Sequence, residues 1–152
     1  MPYAEETSVP VERSRAEIEH LLRKYGADQF ASGWSGDRAM IQFRAEGRTV
    51  RFVLPLPDPQ DKQFTQHPRY TYKPRSPEAA RGAYEQEVRR RWRCLALAIK
   101  AKLECVGTKI ASMEEEFMPY IVMPDGKTVS EHARPWIAQA YENRAVAALP
   151  GW

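Results

Sequence analysis

A chain of 152 residues has room for one domain of ordinary size. Its composition, 43% apolar and 28% charged, fits a globular protein, not a collagen-like, disulfide-stapled or wholly disordered one. The net charge of +3 hides an asymmetry: residues 62–102 hold eleven Lys/Arg against Glu78, Glu85 and Glu87, so that segment is +8 and the remainder −5.

Residues 1–12, with Pro2 and Pro10 and little periodicity, are expected to form a flexible arm ahead of a single domain over 13–152. Ser14-Arg-Ala-Glu17 has the form of a capping box, with Ser14 as N-cap. Ile18, Leu21, Leu22 and Tyr25 follow at helical spacing and Gly26 supplies a stop, which predicts a helix over about 15–25.

From residue 28 the period falls to two. Phe30, Ser32 and Trp34, then Ala39, Ile41 and Phe43, then Val50, Phe52 and Leu54 alternate with more polar neighbours. Ser35-Gly36-Asp37 and Glu46-Gly47 separate the runs as tight turns. The expectation is a three-stranded antiparallel meander in which Phe43 faces Val50, Ile41 faces Phe52 and Ala39 faces Leu54. These six share a core face with Phe30 and Trp34. The opposite face carries Gln29, Met40, Gln42, Arg44, Thr49 and Arg51.

Pro55-Leu-Pro57-Asp-Pro59 ends the third strand, because proline cannot donate to a ladder. It opens a Pro-rich loop over 55–76 that is expected to be mobile. The second half of the loop interleaves Phe64, His67, Tyr70 and Tyr72 with Arg69, Lys73 and Arg75, and no acid occurs between Asp61 and Glu78. Aromatic faces stack on bases while cations follow phosphates, so this is the composition of a single-strand-binding loop. The plainer reading is a surface loop pinned by its tyrosines.

Ser76-Pro77 opens a helix that runs to about Val106 before Gly107, with the apolar stripe Tyr84, Val88, Trp92, Leu95, Ile99, Leu103 and Val106. At about 30 residues it is near 45 Å long, more than a small sheet covers. Its surplus turns, together with the apolar tail Ala145–Trp152, suggest self-association as a homodimer. Glu85 is spaced to pair with Arg89, and Glu87 with Arg91. That leaves Arg81, Arg90, Arg93 and Lys100 as the helix cations expected to meet an outside anion. Ser112-Met-Glu-Glu115 and Thr128-Val-Ser-Glu131 are two further capping boxes. The first opens a short acidic helix that Pro119 ends. The second opens a terminal helix to about residue 143, with Pro135 kinking or delaying it. Tyr120–Met123 between them is an apolar run able to add a fourth strand.

No catalytic constellation emerges. His20, His67 and His132 each stand alone, and no phosphate-cradling glycine loop or nucleophile elbow is present. Glu114, Glu115 and Glu116 point about 100° apart on a helix and cannot converge on one ion. No cofactor or metal is therefore expected. Cys94 and Cys105, eleven apart on one helix, lie roughly 16 Å apart, too far for a disulfide. The acidic start Met1–Glu6 has no apolar leader stretch, and the longest apolar runs are too short to cross a bilayer. A reducing, cytoplasmic setting without membrane contact is the expectation.

Ser14-x-x-Glu-Ile-x-x-Leu-Leu22 with Tyr25-Gly-Ala27, then Arg51-Phe-Val-Leu-Pro-Leu-Pro57, Arg90-Arg-Trp-Arg93 ahead of Ile99-Lys-Ala-Lys-Leu103, and Met123–Val129 resemble small bacteriophage and prophage proteins of uncharacterised activity. The resemblance implies a setting, phage genomes and hence the bacterial host cytoplasm, and no catalytic residue. In topology alone, a helix, a meander and a long basic helix resemble double-stranded RNA-binding domains and the core of single-strand annealing recombinases. The chain lacks the basic Lys-Lys-x-Ala-Lys helix start of the former, and it is short for the latter.

The reading is an α+β domain: a meander of three strands, or four, with helices on one face, one of them long and basic. Its expected function is non-enzymatic nucleic-acid binding, single-stranded DNA in phage replication or recombination being favoured. Arg69, Tyr70, Tyr72, Lys73 and Arg75 form one wall, Arg81, Arg90, Arg93 and Lys100 a stripe, with Arg44 and Arg51 on the sheet. The alternative is an interaction module that inhibits a host protein or defence complex. A weaker one is a nuclease or its accessory, drawing on Asp58 with Glu85 or Glu87.

Overall fold

A computed structural model describes residues 4–149. The elements in order are α1 (Val11–Lys24), β1 (Gln29–Ser35), β2 (Arg38–Ala45), β3 (Arg48–Pro55), α2 (Lys62–Thr65), α3 (Pro77–Gly107), α4 (Met113–Phe117) and α5 (Val129–Asn143), with a 3-10 turn at Met118–Tyr120 between the last two.

The sheet is an antiparallel meander in the order β1-β2-β3. The β2–β3 register is the one the alternation dictates: Phe43 opposite Val50, Ile41 opposite Phe52, Ala39 opposite Leu54. Glu46 and Gly47 both take left-handed φ, 52° and 73°, as a type I′ hairpin turn requires. Tyr120–Met123 adds no fourth strand. Ile121 makes a single bridge to Val50, and the Val122 N–H donates to the Thr49 carbonyl. The preceding 3-10 turn and the Pro124 turn leave no length for a ladder.

One core lies between the sheet and the helices. Ile18 and Leu22 of α1, Trp92, Ala96, Ile99 and Leu103 of α3, and Met113 and Phe117 of α4 bury against Ala39, Ile41, Phe43, Val50 and Phe52. The Phe117 ring sits edge-on to Phe43 and Phe52, with centroids 5.5 and 6.1 Å away. α1, α3 and α4 thus pack on one face, and every second residue of β2 is buried, the alternation of a half-buried strand.

Several expectations are corrected. The Ser14 capping box does not form, because α1 starts four residues earlier than expected. Pro10, at φ −61°, is the N-cap, and its carbonyl already accepts from the Arg13 and Ser14 N–H groups. Ser14 is instead buried inside the helix. Residues 4–10 of the expected arm lie against α3, with Ala4 buried and Gln86 Nε2 donating to the Glu5 and Thr7 carbonyls; residues 1–3 fall outside the described residues. Trp34 is on the core side of the sheet by register, yet it is 78% exposed. The helices cover β1 only at Phe30, so the strand from Ala31 to Ser35 is exposed on both faces.

The loop over 55–76 is not structureless. Asp61 caps α2 by accepting from the Gln63 N–H, Phe64 is buried, and its ring sits edge-on to Tyr84 at 5.7 Å. α2 and residues 4–10 therefore cover the Tyr84–Val88 turns of α3 that were expected to seek a second copy. The three helix starts at Ser76, Ser112 and Thr128 are capped as the spacing predicts. Pro135 lies inside α5 without delaying it. α5 packs on the 3-10 turn and buries none of its residues, and Trp136 Nε1 donates to the Ala147 carbonyl of the tail. Trp152 lies outside the described residues.

Candidate nucleic-acid interface

The cationic segment folds into two unlike parts. In the first, residues 66–75 form a closed loop next to the start of α3. Its neck is a bridge between Gln66 and Pro74, and the Arg75 N–H donates to the Thr65 carbonyl. Inside it, the His67 N–H donates to the Lys73 carbonyl and the Lys73 N–H to that of Tyr70. His67 Nδ1 accepts from the Arg69 and Tyr70 N–H groups, both at 3.2 Å. The turn that presents the side chains is thereby held by the loop's own backbone together with the His67 ring.

Those side chains point outward as a short aromatic row. The His67 and Tyr70 centroids are 5.2 Å apart and those of Tyr70 and Tyr72 6.2 Å, while Lys73 Nζ lies 5.5 Å from the Tyr70 centroid. Tyr70 is 50% and Tyr72 78% exposed, and Arg69 is exposed beside them. Two open π-faces with a cation held against one of them are the elements of a stacking platform. Next to the loop, a groove of about 620 Å³ runs between Thr65, Pro74 and α3, with the exposed Arg81 on its wall.

In the second part, the long helix, most of the basic stripe is spoken for. Glu87 pairs with Arg90 and Arg91 together, at 3.1 Å each, so Arg90 has a partner one turn back. Arg93 reaches across to Glu17 of α1 at 2.6 Å, and Lys102 to Glu116 at 3.5 Å. Arg89 turns to Gln86 Oε1 rather than to Glu85. The expectation that Arg90 and Arg93 stand ready for an outside anion is therefore corrected: their charges are met by acids within the chain. Nor is the stripe continuous. Arg81 and Arg90 are about 180° apart around α3, and Lys100 is about 28 Å along it from Arg81.

The remaining predicted residues are also engaged. Arg44 grips Asp28 through Nε and Nη2, at 3.0 and 2.6 Å, and holds that carboxyl below its usual range. Arg51 donates to Gln42 Oε1 and the Gly126 carbonyl. Arg75 is half-buried and donates to the Gln63 and Phe64 carbonyls at 3.1 Å each, so it staples the loop rather than lining its face. The structure thus brings together Arg69, Tyr70, Tyr72 and Lys73, with Arg81 adjoining, and leaves Lys100 exposed but apart. His67, read in the sequence as part of the loop's aromatic run, joins them by accepting from the Arg69 and Tyr70 N–H groups beside the Tyr70 ring.

The Arg93–Glu17 pair makes a pH prediction. The Arg93 hydrogen bond, with its charge and those of Lys100 and Arg13, holds the Glu17 carboxyl below its ordinary 4.5. A carboxylate depressed by folding stabilises the native state above the unfolded value, and that stability is lost as pH falls through the folded value. Glu17→Gln is expected to lower stability by about 1 kcal/mol at neutral pH, the pair being partly exposed. The difference from the parent should shrink below about pH 4.5, as urea unfolding at pH 7 and pH 3 will show.

Among the described residues no three His, Cys, Asp or Glu side chains converge to hold a metal, and no helix is long and apolar enough to cross a membrane. Glu114 pairs with Arg48, Glu115 completes the α4 capping box and Glu116 pairs with Lys102. Comparison with family models, with curated proteins and with solved structures gives no match to this chain.

Proposed function

We propose that the protein is a non-enzymatic binder of single-stranded nucleic acid, with the loop over 66–75 as its contact surface. The observation that carries this reading is the exposed Tyr70–Tyr72 pair, with Lys73 against one ring and Arg69 at its side. Bases splayed from a single strand stack on such rings, while Arg69, Lys73 and Arg81 meet the phosphates between them. A duplex offers its bases to neither ring, so single strands are the preferred ligand. DNA replication or recombination in a bacterial host cytoplasm is the setting proposed with it. Anisotropy titrations with a labelled single strand and with the same sequence as a duplex, at low salt, test the reading. Tighter binding of the single strand is expected. Equal affinity for both forms, or no binding of either, contradicts it.

A second reading, a module that docks on a host protein, is favoured by one feature. α5 leaves Ile137 45% and Tyr141 83% exposed and buries nothing of its own.

A further inference from the structure

We propose that the protein forms a two-fold dimer by pairing β1 with the β1 of a second copy, which joins the two meanders into one six-stranded sheet. This inference stands independently of the nucleic-acid reading.

Among the described residues, β1 is an edge strand that no other element covers. Its seven residues, Gln29-Phe-Ala-Ser-Gly-Trp-Ser35, include no charge and no proline, and all seven are in unbroken register with β2. Natural edges are ordinarily protected by lysine, proline, a bulge or a covering element. The other edge of this sheet is met at its start, where Thr49 of β3 accepts from Val122 and Val50 bridges Ile121, and it ends in Pro55.

The hairpin fixes which backbone groups β1 offers. Ser35 and Arg38 flank the two-residue turn Gly36-Asp37 and form a hydrogen-bonded pair, so Gly33, Ala31 and Gln29 also bond to β2. The N–H and C=O of Phe30, Ser32 and Trp34 therefore point out of the sheet. An antiparallel second β1 centred on Ser32 sets Ser32 against the second copy's Ser32, and Phe30 against the second copy's Trp34. Every outward N–H and C=O of the three residues then finds its counterpart.

The side chains agree with that register. Phe30 and Trp34 lie on the same, core side of the sheet, and pairing lays each Trp34 against a Phe30 of the other copy. An aromatic cross-strand pair on each side of the axis covers the indole that the chain itself leaves 78% exposed. On the other face Ala31 meets Gly33, small against small. The strand is open on both faces from Ala31 to Ser35, so another strand can approach without displacing a helix. A strand without charge that matches itself about its own centre fits a second copy of this chain as occupant.

Light scattering and amide hydrogen exchange on the full chain test the proposal. The expected mass is near twice 17.5 kDa. The amides of Phe30, Ser32 and Trp34 should be protected along with those of Ala31 and Gly33. Ser32→Pro removes an outward N–H that β2 does not use, and Trp34→Lys places a charge at the pairing. Each is expected to give a monomer with unchanged far-UV circular dichroism; should the proline variant fail to fold, the lysine variant decides. A parent that stays monomeric at high concentration overturns the proposal. So does a dimer in which the amides of 30, 32 and 34 exchange freely, or one that persists in folded Trp34→Lys.

Discussion

Replacing Trp92 by alanine is expected to cost about 3–5 kcal/mol of stability, the range for emptying a large buried aromatic site. Trp92 is 5% exposed and sits on the α3 stripe with Ala96, Ile99 and Leu103, which faces Ile41, Phe43 and Phe52 of the sheet and Ile18 and Leu22 of α1. Trp92 belongs to the one core that α1, α3, α4 and the sheet share, so truncation leaves a cavity in that shared packing. The arginines on either side of it in sequence set the scale. Arg93→Ala gives up a charge-assisted hydrogen bond to Glu17 and is expected to cost about 1–3 kcal/mol. Arg90→Ala leaves Glu87 its bond to Arg91 and should stay within about 0.5 kcal/mol. Denaturant unfolding of the three variants checks the order. A Trp92→Ala loss no larger than that of Arg90→Ala would show that α3 is rotated from the orientation described.

The second large effect is expected at the loop. Tyr70→Ala and Tyr72→Ala should each weaken single-strand binding by about 1–3 kcal/mol, the usual worth of a base stacked on an aromatic side chain. That corresponds to roughly a 5- to 150-fold loss for each. Neither ring is part of the core, so the melting temperature should change little. Tyr→Phe at either position keeps the π-face and should retain most of the affinity. Arg75→Ala is different in kind. It releases the Gln63 and Phe64 carbonyls and should loosen the loop, so its effect on binding is expected to come with faster proteolysis between residues 66 and 75. Alanine variants of Tyr70 and Tyr72 that bind as tightly as the parent contradict the stacking platform.

The sheet was readable because its signals are local and redundant. Alternation sets the face, and Glu46-Gly47 sets the register without reference to the rest of the chain. The same holds for the three helix starts at Ser76, Ser112 and Thr128, where cap and first turn lie within four residues. Ser14-x-x-Glu17 had the same form and misled, because Pro10 upstream already terminates the chain's extended run with a preset φ. Tertiary ion pairs were beyond reach. Nothing in the order of residues tells Arg93 that Glu17 will lie opposite it, and a composition-based stripe therefore overstates the free charge of α3. The exposure of Trp34 was hidden for the same reason: alternation gives the side of the sheet but not how far the helices extend over it. The loop's aromatic and basic content was legible, whereas the division of labour within it, Arg75 inside and Tyr70, Tyr72 and Lys73 outside, depends on the Gln66–Pro74 closure.

The central claim, a small stacking and phosphate-binding surface on the loop over 66–75, is tested most directly by the salt dependence of single-strand affinity. Each phosphate neutralised contributes a slope of about −0.7 in log affinity against log salt for single strands. With Arg69, Lys73 and Arg81 as the contacting cations, the predicted slope is about −2. It should fall toward about −1.4 when Lys73 alone is replaced by glutamine. A slope near zero, or one that Lys73→Gln leaves unchanged while Lys100→Gln lowers it, would contradict the account and move the contact to α3.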